Sequence, residues 1–205
     1  MTIVSRSMIT VDLEMSGLNS DKCGVWQIGA VDLKTKEFFI EEAKIDKEDM
    51  VEEGALKIIG KSEIELRDKK KQTQKELITN FFKWAKSRAK TIVGEVPQLD
   101  VEFLTKKARK YRLDYPFHHR TFDLHSVAQT KYFEIKGKFL FKDNHSELGT
   151  TGITAFCGIE NILFERNHDA LEDAKLVAEC FTRLIRGRKF LPEYSSYKIP
   201  RYLLK

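Results

Sequence analysis

The sequence predicts an α/β fold, with a central mixed sheet flanked by helices. Three observations predict it. Three β-type runs (8–13, 25–32 and 37–45) open the chain and are separated by short polar connections, as in a meander. A fourth run, 91–96, lies between two segments of helical period and would sit beside the first strand. After it the chain reads as helix and loop, with 116–120 a loop or a strand edge. In an α/β sheet, residues just past the strand ends converge on one crevice, so the site is expected there.

The first run, Met8-Ile-Thr-Val-Asp-Leu, is apolar and β-branched, and it leads straight into two acids spaced two apart, Asp12 and Glu14. Alternating side chains put those two on one face and Val11 and Leu13 on the other. Gly17 lets the chain turn away, and 19–24 is a polar loop. Residues 47–75 are highly charged, with short helical pieces at 51–59 and 62–67 around a turn at Gly60. The basic run 67–71 reads as a solvated loop or a contact to a phosphate backbone. Residues 73–90 carry Leu77, Ile78, Phe81, Phe82, Trp84 and Ala85 at helical spacing, a face for the core rather than for stacking on bases. After the strand at 91–96 and a turn at Pro97, a helix over 99–111 shows Val101, Phe103, Leu104 and Ala108 as its apolar side. Residues 121–133 read as a turn into a helix and 136–145 as a polar loop. A short helix at 150–157 closes on Gly158, and the last long helix, 168–186, ends at Gly187. The basic stretch 187–205, with Pro192 and Pro200, reads as a surface tail or a partner-binding extension.

Length and composition bound the answer. A chain of 205 residues, 41% of them hydrophobic, suits a single domain (1–205, core about 8–186) with a substantial core. A net charge of +5 favours polyanionic partners, nucleic acid first, although lysines spread along the chain also fit an ordinary solvated surface. Cys23, Cys157 and Cys180 are few, far apart and odd in number, which argues against a disulfide scaffold or a zinc site and fits a reducing compartment. Without a signal-peptide pattern or an apolar run of ~18 residues, a cytoplasmic protein with no membrane partner is expected.

The acids carry the chemistry. Two adjacent carboxylates repel unless something positive lies between them, and a hard divalent cation with oxygen ligands is the usual answer. By itself Asp-x-Glu also fits a half-exposed strand end. Asp100 follows the strand at 91–96 and opens a helix; capping explains it locally, yet the topology brings it toward Asp12 and Glu14. In His168-Asp-Ala-Leu-Glu-Asp173, Asp169 and Glu172 have capping-box spacing. Asp173 instead lies on or beside the apolar stripe that runs through Ala174, Val177, Ala178, Phe181 and Leu184, where a carboxylate is costly unless paired or metal-bound. His168, with an ordinary pKa of ~6.5, is a workable general base.

Taken together, Asp12, Glu14, Asp100, His168 and Asp173 resemble the DEDDh 3′→5′ exonucleases of the ribonuclease H-like fold, over roughly 8–186. Relatives include the proofreading subunit of the bacterial replicative polymerase, ribonuclease T and oligoribonuclease. Asp12-Leu-Glu-Met-Ser-Gly17 is most similar to the oligoribonuclease motif, and His168-Asp-Ala-Leu-Glu-Asp-Ala174 to the proofreading branch. The resemblance implies a five-stranded mixed sheet and a two-metal-ion hydrolase using Mg²⁺ or Mn²⁺. It implies Asp12, Glu14, Asp100 and Asp173 as the metal ligands and His168 as the base. Met15, Ser16 and Leu18 match positions that contact the 3′-terminal nucleotide. The substrate is then the 3′ end of single-stranded DNA or RNA, and the products are nucleoside 5′-monophosphates. The second motif departs from the family's His-Asn pair: here Glu95 and Pro97 precede Asp100. The alternatives are a non-catalytic nucleic-acid-binding module, a subunit of a polymerase or repair complex, and an enzyme restricted to short RNA. A homodimer is common among relatives.

Overall fold

The computed structural model describes residues 8–160 and 169–204. Its core is a five-stranded sheet in the order β3-β2-β1-β4-β5. The strands are β1 (Ile9–Met15), β2 (Val25–Asp32), β3 (Phe38–Glu42), β4 (Ile92–Gly94) and β5 (Phe122–Asp123). The meander β1–β2–β3 is antiparallel, whereas β4 runs parallel to both β1 and β5, so the sheet is mixed as expected. The fifth strand is the one the sequence hides. Two residues are too few to show a period of two, and they lead directly into α5 (Leu124–Lys136), so the segment reads as a turn.

Strand alternation sorts the helices onto the two faces of the sheet. Ile9, Val11 and Leu13 pack with Leu77 and Phe81 of α3 (Gln74–Lys86) and Phe103 and Leu104 of α4 (Pro97–Tyr111). The other face receives α7 (Ala170–Arg186), where Val31 meets Leu171, Ala174 and Ala178. Thr10 donates its hydroxyl to the Ala174 carbonyl at 2.8 Å, fixing α7 to the central strand. The short helices α1 (Glu53–Ile59) and α2 (Glu63–Leu66) cover Trp26 through Ile59 and Leu66.

Two regions differ from expectation. The supposed polar loop 136–145 folds into a small hairpin of β6 (Phe141–Lys142) and β7 (His145–Ser146), which precedes α6 (Thr150–Phe156). The C-terminal extension is not a loose surface tail. It forms two 3₁₀ turns, Pro192–Tyr194 and Arg201–Leu203, and buries Leu191, Tyr194 and Leu203 in a second core with α5, α6 and α7. No helix among the described residues is long and apolar enough to cross a membrane.

Candidate active site

The crevice opens at the end of β1, as the topology requires. Asp12 pairs across the ladder with Gly29, and Glu14 with Gln27. Those two partners seat the start of α7. A Cβ on Gly29 would lie 2.1–2.2 Å from backbone atoms of Ala170 and Leu171, so only glycine lets the helix backbone touch the sheet there. Gln27 accepts from the Ala170 N–H at 2.9 Å and donates to Asp169 at 3.2 Å. Asp169 in turn caps the helix, accepting from the N–H groups of Leu171 and Glu172. Glu172 pairs with Lys175 at 2.8 Å. One turn into this helix, Asp173 reaches the strand acids: one ligand oxygen from each of Asp12, Glu14 and Asp173 lies within 4.8 Å of the others.

Asp100 stands behind this trio. It is not the helix cap, because α4 starts three residues earlier at Pro97, with Val96 in the capping position. Asp100 is buried, accepts a hydrogen bond from the Leu13 N–H, and raises the pKa of Asp12 by repulsion. Val96 adopts a left-handed conformation (φ 51°, ψ 51°), which a β-branched residue tolerates only under constraint. This turn brings Glu95 into the crevice, where the Thr150 hydroxyl donates to it at 2.7 Å. The sequence flagged Glu95 as an acid near the site without assigning it a place.

A cavity of about 560 Å³ is lined by the acids Asp12, Glu14, Glu95 and Asp173. Leu124, the α6 residues Thr150, Ile153 and Thr154, and Leu176 and Val177 of α7 line it as well. This volume lies within the range of small-molecule sites. Burial raises Glu14 to about 8, helped by repulsion from Asp173, Asp169 and Asp100 and opposed by Lys61. Burial first, then Asp100, Asp173 and Glu14, push Asp12 well above the usual carboxylate range. Burial also raises Asp100 and Glu95. Four acids with suppressed ionisation, two of which (Asp12 and Glu14) offer oxygens with Asp173 to a common point, fit a hard divalent cation, which would relieve both burial and repulsion.

The remaining sequence candidates are placed as follows. Met15 is half-buried and packs against the core, and Leu18 is 70% exposed on the β1–β2 loop. Ser16 is fully buried: its hydroxyl donates to the Met50 carbonyl and accepts from the Gly24 N–H, so it holds the loop rather than facing the cavity. His168 lies outside the described residues. All three cysteines are buried free thiols.

Comparison with known proteins matches the geometry. A family model described as an exonuclease, that of ribonuclease T, matches residues 9–181. No curated protein matches the chain. Among solved structures, Escherichia coli exonuclease I with a dA16 oligonucleotide superposes with a TM-score of 0.70 at 16% identity, covering 90% of this chain and 41% of that one. A zinc-bound complex of the same enzyme with single-stranded DNA gives 0.68 at 17%, covering 84% and 39%. Exonuclease I from Methylocaldum szegediense gives 0.70 at 18%, covering 89% and 41%. At these identities the likeness is one of fold, and this chain spans about two fifths of the length of those proteins.

Proposed function

This chain belongs to the exonuclease family, and on that premise we propose that it removes nucleoside 5′-monophosphates from the 3′ end of a single-stranded nucleic acid. The observation that carries the reading is the meeting of Asp12, Glu14 and Asp173 from two distant parts of the sequence on the rim of one cavity. We assign these three and Asp100 as the holders of two Mg²⁺ or Mn²⁺ ions. Such ions, when bound, lower the pKa of a water and offset charge on the phosphate.

The chain's own residues then have separate tasks. The four carboxylates neutralise the cations and keep the centre compact. Asp100, tied to the Leu13 N–H, fixes the position of the strand end. The apolar wall of Leu124, Ile153, Leu176 and Val177 excludes solvent around the terminal nucleotide. His168 takes the proton of the attacking water as its oxygen bonds to phosphorus. The bond from phosphorus to the 3′ oxygen of the preceding nucleotide breaks, leaving the phosphate on the released mononucleotide. We assign Met15 and Leu18 to that nucleotide's sugar and base. Supporting Leu18 is its exposure beside the cavity-bearing strand; Ser16 contributes by shaping its loop.

The test is a time course on matched 5′-labelled single-stranded DNA and RNA with Mg²⁺, Mn²⁺ or EDTA. A metal-dependent ladder that shortens from the 3′ end, absent in Asp12→Ala, is expected. The faster substrate identifies the natural sugar. No shortening of either oligonucleotide with any metal rejects the reading.

A further inference from the structure

The exonuclease reading explains the cavity but leaves one surface unexplained. Phe133, at the exposed end of α5, stacks on Phe139 with ring centroids 4.7 Å apart. Phe139 and Phe141 are 50% and 61% exposed. They flank Leu140, which turns inward onto the second core, so the extended run 139–141 presents two phenyl rings on its outer side. Three exposed lysines lie beside these residues along the chain, Lys138 and Lys142 next to Phe139 and Phe141 and Lys136 at the end of α5, and they pair with no acid among the described residues. A cluster of exposed aromatic rings beside unpaired lysines, with Asp143 as the acid at the hairpin turn, is poorly suited to ordinary surface, where large apolar groups are scattered singly.

The hairpin is tied to α5 by hydrogen bonds and leads along the chain to the cavity. Gln129 of α5 donates to the carbonyls of Leu140 and Glu147 and to the Ser146 hydroxyl, at 2.7–2.9 Å. His125, one residue after the cavity-lining Leu124, bonds through its two ring nitrogens to the Leu148 carbonyl and the Ser146 hydroxyl. The strand then runs within four residues into Thr150, which lines the cavity and binds Glu95.

We propose that this hairpin is a second binding site for the same substrate: a stacking platform for bases several nucleotides behind the 3′ end, with the lysines on their phosphates. The proposal rests on the exonuclease reading for its occupant, and charge complementarity selects that occupant. Aromatic rings accept any base face, and lysines follow a phosphate chain. The consequence is a preference for strands long enough to reach from the cavity to the hairpin.

The test measures binding apart from hydrolysis. Fluorescence anisotropy in EDTA, with a 5′-labelled single-stranded 12-mer and an unlabelled dinucleotide as competitor, compares the unaltered chain with the double variant Phe139→Ala/Phe141→Ala. We expect the Kd of the 12-mer to rise about tenfold while the dinucleotide is unaffected. Phe141→Tyr should retain the affinity, which separates stacking from folding. Lys138→Ala/Lys142→Ala should lower the slope of log Kd against log salt by about 1.4, roughly 0.7 per lysine. With metal, the aromatic variant should raise KM for the 12-mer and leave turnover of the dinucleotide unchanged. An unchanged 12-mer affinity in the aromatic variant overturns the platform and leaves the face to a protein partner. Loss of hydrolysis with retained binding in EDTA would overturn the exonuclease reading alone.

Discussion

Burial and three neighbouring acids raise Glu14 from 4.5 to about 8; burial and repulsion also raise Asp12 and Glu95, and burial raises Asp100. A carboxyl with a raised folded-state pKa keeps its proton longer in the folded than in the unfolded chain. Between the two values the folded form binds more protons, so stability falls as pH rises from about 4.5 to about 8. The chelated protein should therefore melt at a lower temperature near pH 8 than near pH 5. Asp12→Asn, which removes one charge from the cluster, should flatten that slope while abolishing hydrolysis. Mg²⁺ at pH 8 should raise the Tm of the unaltered chain more than that of the variant. Identical pH profiles for both chains would show that the acids do not repel as their positions require. Val96 belongs to the same scale. Its left-handed backbone at the β4–α4 junction is strain held where Glu95 and Asp100 need to be aimed.

At the scale of elements, the site depends on how closely α7 lies on β2. Gly29→Ala would drive a methyl into the Ala170–Leu171 backbone and push the helix start, with Asp173, off the strand acids. We expect a loss of about 1–3 kcal/mol in stability. Activity should fall much further, by more than the unfolded fraction at assay temperature accounts for. Denaturant melts and rates on one preparation decide this, and equal losses would mean that the contact serves stability alone. This element also shows what was legible. A glycine inside the run Val25–Asp32 signals a close backbone approach, but which element approaches cannot be read from spacing. Asp12 and Glu14 were legible because strand alternation is local. Asp173 stood out as an acid beside an apolar stripe. Asp100 was ambiguous, since a carboxylate early in a helix caps far more often than it faces a crevice, and only the start at Pro97 separates the two. The β6–β7 hairpin was hidden because two-residue strands carry no period, and Ser16 because its burial depends on Met50, far along the chain.

At the scale of the molecule, the C-terminal extension is joined to the wall of the cavity by one fully buried ion pair. The Arg183 guanidinium meets Glu179 at 2.6 Å and donates to the carbonyls of Cys157, Tyr194 and Tyr197. The second oxygen of Glu179 accepts from the N–H groups of Phe190 and Leu191. Arg183→Met would leave a buried carboxylate unpaired and should cost about 3–5 kcal/mol, with 187–204 becoming open to limited proteolysis. A loss under about 1 kcal/mol would mean that the apolar contacts of Leu191, Tyr194 and Leu203 hold the extension by themselves. Two backbone amides that belong to no helix or strand thus end on a side chain deep inside the longest helix. In native-state hydrogen exchange they should behave as members of that helix, trading protons with solvent only when its C-terminal half opens. The end of the chain and the scaffold of the cavity would then share a single slow clock.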